Sequence, residues 1–243
     1  MRLFKYVSED TMEKIIGNCS IRFTQPCQLN DPYEMYPIYD ESITEIDKTG
    51  FLEKEDIVHF LNALFNFNYL CLCLSLNNKS IPMWSHYASE HSGVMLEFNP
   101  KSIFFKTGFL YKVPYSNKRP KFVSSEIIKR LANNSVTPED LKEYCNSIFT
   151  KALCWKHEKE VRLLMPVSEL ERADGTKCNY DKDISGLIKI IVTLETGLRK
   201  GFSDVFIKKL EQDTIKSVYF GINTPEELKE KIRRTFKEKG FIV

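Results

Sequence analysis

An α+β fold, with a mixed but mainly antiparallel sheet and flanking helices, is what the sequence predicts. Three observations predict it. Short segments near residues 3–7, 20–24, 69–76, 94–98 and 215–221 alternate apolar and polar residues or run apolar, the pattern of strands. Between them lie segments with apolar residues at helical spacing, opened by capping residues such as Ser8, Thr137-Pro138 and Thr224-Pro225. Strands and helices follow one another irregularly rather than in strict βαβ order. We expect a single domain over 1–243, with a helical excursion at about 120–157.

The elements can be justified in order. Residues 3–7 read as a strand. Ser8 caps a short helix with Met12, Ile15 and Ile16 on one face, and Gly17 is placed to end it. Residues 20–24 alternate Ile21 and Phe23 against Ser20, Arg22 and Thr24. Asn30-Asp31-Pro32 is a turn signal, followed by Tyr33 and Glu34. Residues 53–67 carry Ile57, Leu61, Leu64 and Phe65 at helical spacing. Residues 69–76 are the clearest strand, with Leu70, Leu72, Leu74 and Leu76 on one face and Tyr69, Cys71, Cys73 and Ser75 on the other; two largely apolar faces predict a covered, central strand. Pro82 fits a first helical turn, with Trp84, Tyr87, Ala88 and His91 on one helix face and Gly93 as the stop. Residues 94–98 predict a strand that sets Glu97 opposite Leu96. A helix from Thr137 carries Leu141, Ile148 and Ala152 toward Trp155. Residues from Trp155 to Leu163 read as the start of a strand. Residues 168–183 read as a polar loop, 186–196 as an apolar strand, 203–211 as a helix and 215–221 as a strand. A last amphipathic helix follows Thr224-Pro225, and Phe241 to Val243 return to the sheet.

Composition narrows the function classes. The 243 residues, 42% hydrophobic, suffice for a sizeable core. A net charge of +2 without a clustered basic stripe gives no footprint of a dedicated nucleic-acid binder. No apolar run reaches the length of a membrane span, and no leader pattern is visible at the start. Seven cysteines without metal-ligand spacing are expected to be free thiols in a reducing cytoplasm. Glycine-rich phosphate loops are absent, which disfavours P-loop and Rossmann chemistry. His86 and His91 are five apart, not the four of a helical zinc pair, so no metal site is expected from them.

The chemistry-bearing stretch is Trp155-Lys-His-Glu158-Lys-Glu160-Val-Arg162. On a strand, Glu158, Glu160 and Arg162 share one face, opposite Val161, Leu163 and Met165. Such a row is a solvated or structural ion network, a metal-binding face completed by Asp31, Glu34 or Glu97 as in a nuclease, or the seat of one catalytic glutamate that stabilises a developing cation on a sugar. Arg22 is a surface arginine unless Asp31 or Glu34 pairs with it across the Asn30 turn. Ser75 lacks a nucleophile-elbow setting and is a strand-end hydrogen-bonding group or a substrate contact. Trp84 and Tyr87 belong to a core or to a stacking surface, and His86 points elsewhere, toward a cleft.

Taken together, Leu3-Phe-Lys5-Tyr6, Ile21-Arg22-Phe-Thr, Asn30-Asp31-Pro32-Tyr-Glu34, Ser75, Trp84-Ser-His86-Tyr87, His91-Ser-Gly93-Val, Glu97-Phe98, the Trp155–Arg162 stretch and Val218-Tyr-Phe-Gly221 resemble a widespread bacterial family catalogued as a domain of unknown function, number 2971 in that series. The resemblance names a relative and implies no activity. More distantly, the opening strand, helix, glycine and second strand resemble the ADP-ribosyltransferase fold, including its DNA-targeting toxin branch. That resemblance implies NAD as substrate and a defence or toxin-type role, such as phage defence, with a protein or nucleic acid as target. It implies that Lys5 or Arg22 and Ser75 hold NAD, with Asn30, Asp31, Glu34, Trp84, His86, Tyr87 and Arg162 around it. Glu160, preceded by Glu158, would contact the ribose and stabilise the oxocarbenium-like transition state. Lys5 stands where those enzymes usually carry His, and no Ser-Thr-Ser signature surrounds Ser75. The alternatives are a metal-dependent nuclease and a non-enzymatic sensing or binding module.

Overall fold

The structure, a computed structural model, describes residues 1–31, 34, 37–38, 69–121, 126–127, 130, 135, 137–175 and 205–241. The helix expected at 53–67, the strand expected at 186–196, and Pro32 and Tyr33 lie outside them. The described strands are β1 (Leu3–Val7), β2 (Ser20–Phe23), β3 (Tyr69–Ser75), β4 (Val94–Phe98), β5 (Phe109–Lys112), β6 (Tyr115–Ser116), β7 (Lys151–Ala152), β8 (Glu160–Pro166), β9 (Glu171–Arg172), β10 (Phe206–Lys209) and β11 (Ile215–Phe220). The α-helices are α1 (Glu9–Asn18), α2 (Ile81–Tyr87), α3 (Pro138–Phe149) and α4 (Glu226–Glu238).

The fold is α+β and its main sheet is antiparallel. Six strands run in the order β11-β4-β1-β3-β8-β5. A second sheet, β2-β10-β9, joins the first through a bridge between Thr24 and Cys71. Strand alternation explains the layers. One face of the large sheet, with Leu3, Leu72, Leu74, Leu96 and Leu163, packs on Met12, Ile15 and Ile16 of α1 and on Leu228, Ile232 and Phe236 of α4. The other face meets α3 through Cys71, Tyr111 and Leu164 against Tyr144, Cys145, Ile148 and Phe149. It meets α2 through Phe4, Tyr6 and Met95 against Met83 and Ala88. Covered on both faces, β3 is the central strand its two apolar faces predict.

Local signals mark most helix starts. Ser8 and Ser80 accept from the backbone N–H three residues on, and Thr137 with Asp140 forms a complete capping box. Helix ends were less legible. Helix α1 runs through Gly17 and stops at Cys19, which takes the left-handed conformation (φ 47°). Helix α2 stops at Tyr87, so His91 is not on it. Ser89, Glu90 and His91 instead form a left-handed turn (φ 45°, 50° and 72°), which still lays the His91 ring parallel to Trp84 at 6.4 Å.

Four further expectations are corrected. Residues 206–209 are a strand rather than part of a helix, because pairing with β2 on one side and β9 on the other outweighs local propensity. Ala152 lies in β7, beyond the end of α3. The stretch read as a polar loop opens with a short 3-10 turn at Val167–Glu169, then β9. Phe241 does not rejoin the sheet but packs on Phe236 with ring centroids 4.9 Å apart.

Candidate functional site

The charged stretch before β8 is not one strand. Residues Leu153–Glu158 form a 3-10 turn, Lys159 is left-handed (φ 45°), and the strand begins only at Glu160. The left-handed residue redirects the chain, so Glu158 reaches the site from the turn while Glu160 and Arg162 project from the sheet. Register places Glu160 opposite Ser75, and Arg162 between Cys73 and Tyr111.

These side chains are buried and joined. Arg162, fully buried, donates from Nε to Glu160 Oε1 at 2.7 Å and from Nη2 to Glu34 Oε1. Its guanidinium also lies over the Phe149 ring, 4.6 Å from the centroid. Lys151 bridges two acids, with Nζ 2.7 Å from Glu158 Oε2 and 2.8 Å from Glu160 Oε2. The same ammonium lies 5.6 Å from the centroid of the Trp155 ring. Tyr87 donates to Glu158 Oε1 at 2.6 Å, and exposed Asn30 donates to the Tyr87 oxygen at 3.1 Å. A chain of contacts thus runs from Arg162 in the core through Glu160, Lys151, Glu158 and Tyr87 to Asn30 at the surface.

Ser75 braces this chain from behind. Its hydroxyl donates to the Glu158 carbonyl and accepts from the Asn77 N–H at 2.9 Å. The Tyr115 hydroxyl accepts from the Glu160 N–H at 2.8 Å. Lys5 donates to the Cys73 carbonyl at 3.1 Å, and burial lowers its pKa against the opposing pull of Cys73 and Glu160.

Three glutamates share two close cations, and the electrostatics follow from that count. Burial would raise Glu160, but the charges and hydrogen bonds of Arg162 and Lys151 hold it well below the usual carboxylate range. Burial would lower Lys151, but Glu160, Glu34 and Glu158 hold it above the usual lysine range. For Glu34, burial outweighs Arg162 and Lys151 and pushes the carboxyl up to about 7. Burial, then the bond to Glu158, raises Tyr87.

A raised carboxyl binds its proton more tightly folded than unfolded, so Glu34 contributes stability below about pH 4.5 and loses it as pH rises through about 7. Glu97 works in the opposite sense. The Arg2 bond holds it down to about 2, and its contribution is present above pH 4.5 and lost in acid. In urea titrations from pH 5 to 8, Glu34→Gln is expected to flatten the decline of stability with rising pH. An unchanged slope in the variant would refute this assignment.

Not every expected residue joins this cluster. Arg22 is exposed and donates to Gln28 at 3.2 Å, so it does not pair with Asp31 or Glu34. Glu34 turns to Arg162 because a fully buried guanidinium needs charge compensation more than one in water does. Asp31 is buried, and its carbonyl accepts from the Glu34 N–H at 3.2 Å. His86 is exposed, and Trp84 packs edge-on to Tyr6 at 5.2 Å. Glu97 is not with Glu34. It forms a separate pair with Arg2, aided by Tyr219. Because Arg162 and Lys151 already occupy Glu34, Glu158 and Glu160, these acids do not form a metal cage. No group of three or more His, Cys, Asp or Glu placed to hold a metal occurs among the described residues.

Sequence reasoning missed Lys151, Tyr115 and Phe149. Lys151 had a signal: it is the lone charge in the mostly apolar run from Ile148 to Trp155. An excess of glutamates over Arg162 also required a second cation.

A family model agrees with part of this stretch. The family described as "Protein of unknown function (DUF2971)" matches residues 83–163. The matched region begins within α2 and ends just after Arg162, so it contains Tyr87, Lys151, Glu158, Glu160 and Arg162 but neither Glu34 nor Ser75. No curated protein and no solved structure matches the chain. No helix among the described residues is long and apolar enough to cross a membrane.

Proposed function

We propose that the chain binds a ribose- and phosphate-bearing ligand, NAD, at the surface end of the charge chain, and that it transfers ADP-ribose from it to a nucleophile of a protein or nucleic-acid target, or to water, with nicotinamide as the leaving group. The observation that carries this reading is the continuous path from fully buried Arg162 to Glu158, Tyr87 and exposed Asn30. Burying five charged side chains in a sheet face costs more than an apolar core of the same shape, so stability alone is a weak reason to keep them. A fixed carboxylate beside aromatic and amide groups suits a sugar whose C1 becomes cationic as nicotinamide leaves with the bonding electron pair. Glu158, nearest Tyr87 and Asn30, is the acid assigned to face the ribose. Glu160, Arg162 and Lys151 hold its position and charge, and Ser75 positions it through its backbone carbonyl. Trp155 and Tyr87 offer faces for a ring.

A second reading has its own observation. Ser75 and both oxygens of Glu160 and of Glu158 are already engaged, which favours a non-enzymatic binding module whose network only welds the core. Nicotinamide release from NAD by purified protein, with and without EDTA, separates the two. EDTA-resistant release is expected, falling by about 100-fold or more in Glu158→Gln when both proteins are assayed at a temperature where both are fully folded, since loss of the buried bond to Lys151 lowers the melting temperature of the variant. Absence of release, with NAD failing to shift the melting temperature of the wild type, would overturn the enzyme reading. A melting loss in Glu158→Gln that accounts for all lost activity would support the weld.

A further inference from the structure

Three segments far apart in sequence meet at the end of the sheet where the charge chain lies. The Leu76 N–H donates to the Lys159 carbonyl at 3.0 Å, and the Asn77 side-chain amide donates to the His157 carbonyl at 3.4 Å, which ties the segment after β3 to the turn before β8. β6 pairs with β7, directly ahead of the same turn, and Tyr115 accepts from the Glu160 N–H. These segments carry Lys79, Lys118, Arg119, Lys156 and Lys159, all exposed. The acids beside them, Glu158 and Glu160, are buried and already held by Lys151 and Arg162. Phe4 pairs with both Ser75 and Glu97, so Glu97 lies at this end too, but it is buried and bonded to Arg2. The three segments thus present cations to solvent and no exposed acid.

Aromatic and amide side chains interleave with these cations. Trp155, half-buried, precedes Lys156, with the Lys151 ammonium over its ring and the His157 ring 6.3 Å away. Asn77 and Asn78 precede Lys79, and Asn117 precedes Lys118. Each segment supplies only one or two of the exposed cations, which is why a net charge of +2 conceals the cluster until the chain folds. We infer that this end of the sheet binds a single-stranded nucleic acid, with the cations on its phosphates and Trp155 stacked on a base. Cations alone suit any polyanion. A partly exposed indole among them suits a strand whose bases are unstacked. A duplex keeps its bases stacked inside, and an acidic peptide offers no succession of ring faces. The surface does not depend on NAD being consumed; for the transfer reading, it selects nucleic acid over protein as the acceptor.

The test is fluorescence polarisation of a fluorescein-labelled single strand of about 12 nucleotides and mixed sequence, titrated with the purified full chain without NAD. Binding is expected to weaken with salt, with a slope of log K against log salt of about −0.7 for each phosphate neutralised. Lys118→Glu/Lys156→Glu, two exposed changes that leave the melting temperature in place, should weaken it by about tenfold or more. Trp155→Ala should weaken it by about tenfold while leaving the binding of heparin, a polyanion without bases, unchanged. No binding of the strand at about 50 mM salt, an affinity indifferent to the double variant or to Trp155→Ala, or an equal loss of heparin binding in Trp155→Ala would each overturn the proposal. So would equal or tighter binding of the matching duplex, of a poly-glutamate peptide or of phosphatidylserine vesicles, which would assign the surface to that partner. Nicotinamide release is read separately, so failure of either proposal leaves the other standing.

Discussion

Arg162→Met should destabilise the protein by about 3–5 kcal/mol in urea titrations, because it leaves Glu160 and Glu34 buried beside too little positive charge. Arg162 is fully buried, bonds both carboxylates and lies on Phe149. Lys151 stays behind to balance three acids alone, which it cannot do from one position. The loss belongs to the unpaired carboxylates rather than to the arginine itself. Arg162→Met combined with Glu160→Met and Glu34→Leu should therefore recover much of the stability lost by the single change. Additive losses across the three substitutions would refute charge compensation as the reason for Arg162's burial. Recovery of stability without recovery of ligand binding would mark the network as kept for its site.

Gly221→Ala is the second large effect, and it arises from backbone rather than charge. A Cβ at Gly221 would sit 2.0 Å from the His91 carbonyl oxygen and 3.1 Å from that of Gly93. Neither oxygen can yield easily. The first accepts from the Asn223 N–H at 3.0 Å, and the second accepts from the Gly221 N–H at 3.1 Å and from Thr224 Oγ1 at 2.7 Å. Gly93 is equally confined, with Val7 oxygen 2.2 Å from its own Cβ position. Overpacking usually costs about 1–3 kcal/mol, and contact with backbone on two sides should place Gly221→Ala at the top of that range or above. Gly17→Ala supplies the opposite sign. That glycine lies inside α1 with nothing within 4 Å of its Cβ position, so alanine should stabilise by about 0.5–1 kcal/mol. If the two variants shift the urea midpoint in the same direction, the steric account fails.

By itself the sequence determined the fold class, most strands and the helix starts, because those rest on local rules. Alternation set the two faces of β3, while caps at Ser8 and Thr137 and the proline at Pro82 marked helix starts. It also singled out Glu158, Glu160 and Arg162, since charge in an apolar strand is rare, and, on separate grounds, Glu34 as an acid on the turn after Asn30 and Tyr87 as an aromatic on a helix face. Tertiary structure decided what local rules cannot carry. Strand pairing made residues 206–209 a strand, and the left-handed turn at Lys159 separated Glu158 from the strand that carries Glu160. Most of all, it chose partners. Arg22, Glu34, Glu97 and Lys151 are all plausible ends of an ion pair in the sequence. Burial is what decided among them, because compensation is demanded only of charges removed from water, and the depth of Arg162, Glu34 and Lys151 exists only in the assembled sheet and helices.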